Sequence, residues 1–223
     1  MPIMNMVYKY IPLIPSANTL LYLPFNNNYN DESWKWVSVT TNGGTTPTYW
    51  AINSNNYLIT SNSRIISTLS TFDINNMTFS CWLKKTGSSL CVAAYWWWPN
   101  SWTHTDGVWN WLIINSSNKI VLFPYGRDIT TTATIQLNAW TNIVIVTGGW
   151  TVYVYVDGTL KYSTSKTFTS SSYIARFLAN PYVDSTIRDP FVWNIDEVII
   201  ENKTWTSTDV KNYYNQAKSK FWL

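Results

Sequence analysis

Between Asn142 and Tyr162 the sequence reads NIVIVT, GG, WTVYVYV, DG and TLKYS, three β-branched and aromatic runs broken by pairs of turn residues. This pattern predicts two consecutive β-hairpins, because Gly148-Gly149 and Asp157-Gly158 supply the positive φ angles that two-residue turns require. Side chains alternate along a strand, so Trp150, Val152, Val154 and Val156 fall on one face and Thr151, Tyr153 and Tyr155 on the other. One face is expected to pack and the other to present aromatic rings.

The same grammar runs through most of the chain. Short apolar or alternating runs read as strands near Thr19–Phe25, Lys35–Thr41, Tyr57–Thr60, Arg64–Leu69, Thr78–Lys84, Leu90–Trp96, Val108–Asn115, Lys119–Phe123 and Ala133–Leu137. Their spacing, about ten to thirteen residues with Asn, Gly, Ser and Thr clusters between, is that of a sandwich or barrel. Only the segment after Thr206 reads as helix. Thr206, Ser207 and Thr208 offer hydroxyl caps, Asp209 an early carboxylate, and Val210, Tyr213, Tyr214 and Ala217 recur at helical spacing.

Composition narrows the function. Charged residues are 12% of the 223, about half the usual share, and polarity is carried by Asn, Thr and Ser. With 15 basic and 12 acidic residues spread without blocks, the chain lacks the footprint that phosphate backbones demand, and nucleic acid is not expected as a partner. No apolar run reaches the length of a membrane span, so no membrane insertion is expected, and the start of the chain does not read as a signal peptide.

Catalytic constellations are scarce. Cys81 and Cys91 with the single His104 cannot close a zinc site, and the two cysteines, on strands expected to be adjacent, read as buried thiols. His104 beside Asp106 reads as a polar loop rather than as part of a triad. The glutamates are Glu32, Glu197 and Glu201 only, and strand alternation would set Asp196 and Glu197 on opposite faces. The paired carboxylates of a glycosidase are thus not in view, and no enzyme is expected.

Aromatics are the opposite case, with 15 Trp and 15 Tyr. The stretch YWWWPNSWTHTDGVWNW places Tyr95, Trp96, Trp97, Trp98, Trp102, Trp109 and Trp111 within one strand, loop and strand. Consecutive residues on a strand point to opposite sides, so three successive tryptophans cannot all enter one core. Such rings suit stacking on sugar C–H faces, anchoring in a protein interface, or a small second core under a long loop. With Tyr153 and Tyr155, these seven are the candidate ligand-binding residues.

Four pieces then fall in a recognisable order: TLLYLPF, the strand TFSCWLKK around Trp82, the hairpins from AWTNIVIV (Trp140, Asn142) to VYVYVDGTL (Tyr155–Gly158), and IDEVIIENKTWTSTDV (Ile195–Val198). Together they resemble the laminin-G-like branch of the concanavalin A-like lectin/glucanase superfamily, of the kind found on bacteriophage particles. The resemblance implies an all-β, jelly-roll sandwich of two antiparallel sheets with a short C-terminal helix, spanning residues 19–223 behind an N-terminal arm of residues 1–18. Asn26 stands where members often carry a calcium-binding Asp, which leaves Asp196 as the one calcium candidate and no other cofactor. The resemblance further implies a non-catalytic virion surface protein made in the host cytoplasm, a capsid decoration or a head or tail fibre. Its partners would be carbohydrate or other virion proteins, with a homo-oligomer expected and the arm and the terminal KFWL as docking segments. An extracellular lectin or carbohydrate-binding module is the alternative, and a glycoside hydrolase ranks third.

Overall fold

The computed structural model describes residues 15–25, 31–33, 35, 39–42, 48–50, 56–58, 64–67, 73, 75–87, 91–97, 110–122, 129–165, 174–177, 180–181, 187–188 and 194–221. Side chains are described within 15–25, 31–33, 35, 73, 75–87, 112–122, 129–165 and 194–221. Residues 1–14 of the expected arm, Asn26, Trp98, Trp102, His104, Asp106 and Trp109 lie outside them.

Strands in chain order are β1 Thr19–Leu23, β2 Val39–Asn42, β3 Thr48–Trp50, β4 Asn56–Leu58, β5 Arg64–Ser67, β6 Thr78–Lys84, β7 Cys91–Trp97, β8 Asn110–Ile114 and β9 Lys119–Leu122. They continue with β10 Ile129–Thr134, β11 Trp140–Gly148, β12 Thr151–Val156, β13 Thr159–Ser165, β14 Ile174–Phe177, β15 Asn180–Pro181, β16 Ile187–Arg188 and β17 Asn194–Glu201. Helix α1, Ser207–Ala217, and a 3-10 turn, Lys218–Phe221, follow. The first sheet runs β13-β12-β11-β6-β17-β4-β3, with β1 also on β17; the second runs β10-β9-β8-β7-β14-β5-β2. The protein is an all-β, jelly-roll-like sandwich of two antiparallel sheets with one short C-terminal helix. No helix among the described residues is long and apolar enough to cross a membrane.

Between the sheets, Phe79, Cys81 and Leu83 of β6, Val152, Val154 and Val156 of β12, and Ile195, Val198 and Ile200 of β17 meet Leu112, Ile114, Ile120 and Leu122 of the second sheet. The outer face of the first sheet is also buried. Val144, Val146, Tyr155 and Ile199 there pack against Trp205, Val210 and Tyr213, so the face expected to present Tyr153 and Tyr155 is a second core beneath α1. Covering both faces is why nearly every residue of β6 and β17 is buried, the polar ones included.

Helix α1 starts where its cap residues place it. Thr206 Oγ1 accepts the Asp209 N–H at 3.1 Å, and Asp209 Oδ2 accepts the Thr206 N–H at 2.9 Å, a reciprocal capping box. Partial burial raises the Asp209 carboxyl, but its hydrogen bonds to Thr206 and the Lys203 charge outweigh that and hold it below its ordinary range. Replacing Thr206 by Ala is expected to lower stability by about 1 kcal/mol, read as a shift in the urea midpoint.

Three expectations need correction. The first hairpin turn is Gly149–Trp150, both at positive φ (57° and 69°), while Gly148 stays in the ladder opposite Thr151. Register decides this, since Ile143, Ile145 and Thr147 must oppose Val156, Val154 and Val152 on the core side. Gly148 is needed for closeness instead, because a Cβ there would meet Thr204 Cγ2 at 2.6 Å. Second, β10 begins and ends earlier than the run Ala133–Leu137 suggested, with Thr131 made acceptable in the interior by donating its hydroxyl to the Ile120 carbonyl at 2.8 Å. Third, Cys81 and Cys91 lie on β6 and β7, which belong to different sheets. Cys81 is a free, fully buried thiol, and burial pushes it up.

Candidate functional site

The aromatic stretch builds two paired strands of the second sheet. On β8, Leu112 and Ile114 enter the core, so Trp111 and Ile113 occupy the opposite face. The ladders then place Trp111 opposite Tyr95, Tyr95 opposite Arg176, Arg176 opposite Ile66 and Ile66 opposite Thr40, one row across five strands on the face away from the core. Trp97, opposite Ile174, takes the same face two residues further along β7. Trp96 shares its row with Asn110 and Ala175, on the core side. A bulge between Val92 and Ala94 sets this phase.

Of the sequence candidates, the register places Tyr95, Trp97 and Trp111 at positions of one face of the second sheet, with Arg176 at the ladder position opposite Tyr95. Trp96 takes the other face, and Trp98, Trp102 and Trp109 lie outside the described residues. Tyr153 and Tyr155 belong to the other sheet; Tyr155 is nearly buried and Tyr153 is half-buried against the second core. Trp150, expected on the packed face, is instead 71% exposed at the tip of its turn. The GGW spelling of that turn was the available signal, since a ladder shifted by one residue carries the tryptophan out of the strand.

The acidic residues form a cluster of another kind. In β17 the residues Glu197 and Val198 together oppose Cys81, a bulge that puts Glu197 at φ 49°. Strand alternation fails there, so Asp196 and Glu197 do not take opposite faces: both meet Lys220 from the 3-10 turn. Lys220 Nζ lies 3.3 Å from Asp196 Oδ2 and hydrogen-bonds Glu197 Oε1. Tyr22 donates its hydroxyl to Glu197 Oε2 at 2.8 Å, and the Glu197 N–H donates to Asp196 Oδ1 at 2.8 Å.

Burial holds the Asp196 carboxyl well above its ordinary range, against the pull of Lys220. Burial lowers the Lys220 ammonium, but Glu197 and Asp196 raise it by more, so it stays charged. Burial and Glu197 push the Tyr22 phenol up, keeping it a donor. The Lys220 ammonium stands beside Asp196, where a calcium ion would need the carboxylate. These carboxylates do not flank an open groove of the kind glycoside hydrolysis uses. Asp196 is fully buried and Glu197 nearly so.

With this geometry in place, comparison with known proteins gives a class. Residues 53–211 match the model of the concanavalin A-like lectin/glucanases superfamily, and the chain belongs to that family. Among curated proteins none matches. Domain 4 of AbnA, an extracellular GH43 arabinanase from Geobacillus stearothermophilus, in a structure with arabinotriose, superposes with a TM-score of 0.68 at 19% identity, covering 88% of this chain and 98% of that one. The binding domain of botulinum neurotoxin serotype D/C gives 0.66 at 16% identity over 89% of this chain and 52% of its own. A type C toxin structure, described as entering cells through two ganglioside molecules, gives 0.66 at 15% over 89% and 51%. The chain thus spans about half the length of the toxin domains. At these identities the likeness is one of fold, in agreement with the family match.

Proposed function

We propose that this chain is a non-catalytic adhesion module that binds carbohydrate on the outer face of its second sheet. The observation that carries the reading is the row Trp111–Tyr95–Arg176, with Trp97 two residues along β7, which the ladder register sets on the face opposite the inter-sheet core. Flat rings match the C–H faces of sugars, and a guanidinium offers a fork of donors to hydroxyls or carboxylates. That the solved relatives include structures with arabinotriose and with ganglioside-dependent cell entry supports a glycan as ligand. The absence of catalysis is supported by the neutralised, enclosed state of Asp196 and Glu197.

The finer part of the proposal is the setting: a virion surface, as capsid decoration or head or tail fibre, in an oligomer that presents several such faces. It rests on the sequence resemblance and on the excess of aromatics over what one core needs. A glycan array including arabinan oligomers and ganglioside headgroups tests the binding. Trp97→Ala and Trp111→Ala should each lower affinity roughly tenfold or more, the loss expected for truncating an aromatic anchor. Wild-type protein that binds no glycan overturns the reading. Mass spectrometry of purified particles tests the setting, and absence of the chain from them rules it out.

A further inference from the structure

A pocket of about 500 Å³ opens at the flank of the sandwich, where the edge strands β10 and β13 come together. Thr132 of β10 ties the two edges by donating its hydroxyl to the Lys161 carbonyl at 3.3 Å. Gln136 lines one side, Asp157 and Lys161 of the β12–β13 turn line the other, and Trp140, Thr141 and Tyr214 complete the wall. Its size falls within the range of about 300 to 1,000 Å³ that small-molecule sites occupy.

Polar side chains converge here. Asp157, half-buried, accepts the Asn142 N–H at Oδ1 at 2.9 Å. Lys161 is near enough for its charge to act on Asp157, yet the two make no ion pair. Burial raises the Asp157 carboxyl overall, with the Asn142 amide and Lys161 opposing, and Asp157 in turn adds to the rise of the Tyr214 phenol. The Trp140 indole N–H is buried without an acceptor among the described residues. Unsatisfied groups of this kind carry a cost that a ligand can recover.

The lining dictates what that ligand is. One carboxylate and one ammonium cancel, so the pocket does not select for net charge. Held apart, they ask for groups that donate to Asp157 and accept from Lys161, and a hydroxyl does both, as it does toward the Gln136 amide. We infer that this pocket is a second ligand site, taking a single neutral sugar residue whose hydroxyls bridge Asp157, Lys161 and Gln136 and whose C–H face lies toward Trp140 and Tyr214. It shares only sugar chemistry with the aromatic face and stands on the other edge of the second sheet's path from it.

The test uses the full chain, methyl glycosides of glucose, galactose, mannose, arabinose and N-acetylglucosamine at millimolar concentration, and amide shifts read by NMR. At least one glycoside should move the amides of residues 134–141 and 157–161. Lys161→Ala and Gln136→Ala, neither of which removes a core contact, should each weaken it about tenfold, the effect of losing a hydrogen bond with a charged or buried partner. Trp97→Ala should leave these shifts unchanged, so failure of the aromatic face and failure of the pocket are told apart. Silence of those amides toward every glycoside, or shifts that survive both pocket variants, overturns the assignment.

Discussion

Exchange of Lys220 for methionine is expected to cost the domain about 3–5 kcal/mol at neutral pH, the penalty for stranding buried charge. Lys220 is the cation shared by Asp196, whose side chain is 0% exposed, and Glu197, at 10%. Without it two neighbouring carboxylates stay in low dielectric and repel each other. The deficit should shrink on acidification. A carboxyl held above its unfolded value binds its proton more tightly in the native state, so native stability falls as pH rises from the unfolded toward the folded pKa. Removing Lys220 lifts the folded value of Asp196 further and widens that window upward.

Lys220 acts in the opposite range. Its folded value is raised, so its contribution is complete below the ordinary lysine pKa of about 10.4 and is lost as pH climbs through the folded value. Wild-type protein should therefore weaken in strong alkali, and the methionine variant should lack that component. Urea unfolding at about pH 5, 7 and 11.5 reads both effects. A variant as stable as wild type at neutral pH, with the same pH profile, would remove the buried triad from the account. By contrast, the Lys203–Asp209 pair is 3.8 Å apart with both side chains in solvent, where such pairs contribute little.

How far this cluster could be read beforehand follows from which contacts are local. The hairpins from Asn142 to Tyr162, strand β6 and the cap at Thr206 are spelled by neighbouring residues, and the sequence showed them, with the first turn set one residue early. The residue β17 spends on its bulge is not spelled locally: Glu197 takes a backbone region that glycine favours, and its side chain there meets Lys220 and Tyr22. Those partners sit 23 and 175 positions away. Phase in the Trp run has the same character, because one extra residue between Val92 and Ala94 decides which rings share a face. Strand β14, IARF, is too short to alternate visibly and is held by its pairing to β5 and β7. The pocket joins Gln136, Asp157 and Tyr214, residues that only the meeting of two sheet edges and a helix brings together.

Trp82→Ala should be comparably damaging, about 3–5 kcal/mol by the cost of deleting a buried aromatic ring. Trp82 is fully buried on the outer face of β6, stacked on Phe221 at 4.1 Å with 14° between planes and on Tyr214 at 5.7 Å with 13°. Trp140 tilts against Phe221 from the far side at 4.9 Å. Of the terminal KFWL, expected as a docking segment, Phe221 is clamped by these rings, while Trp222 and Leu223 lie outside the described residues. Because Phe221 follows Lys220 directly, the ring stack and the ion cluster hold one and the same turn. Loss of either frees it, so the second loss has less left to undo. The double variant Trp82→Ala with Lys220→Met should accordingly cost less than the sum of the singles, by more than the roughly 0.5 kcal/mol within which independent sites add. Additive costs would mean that the stack and the buried charges stabilise the sheet separately, and that the closing turn is held by neither alone.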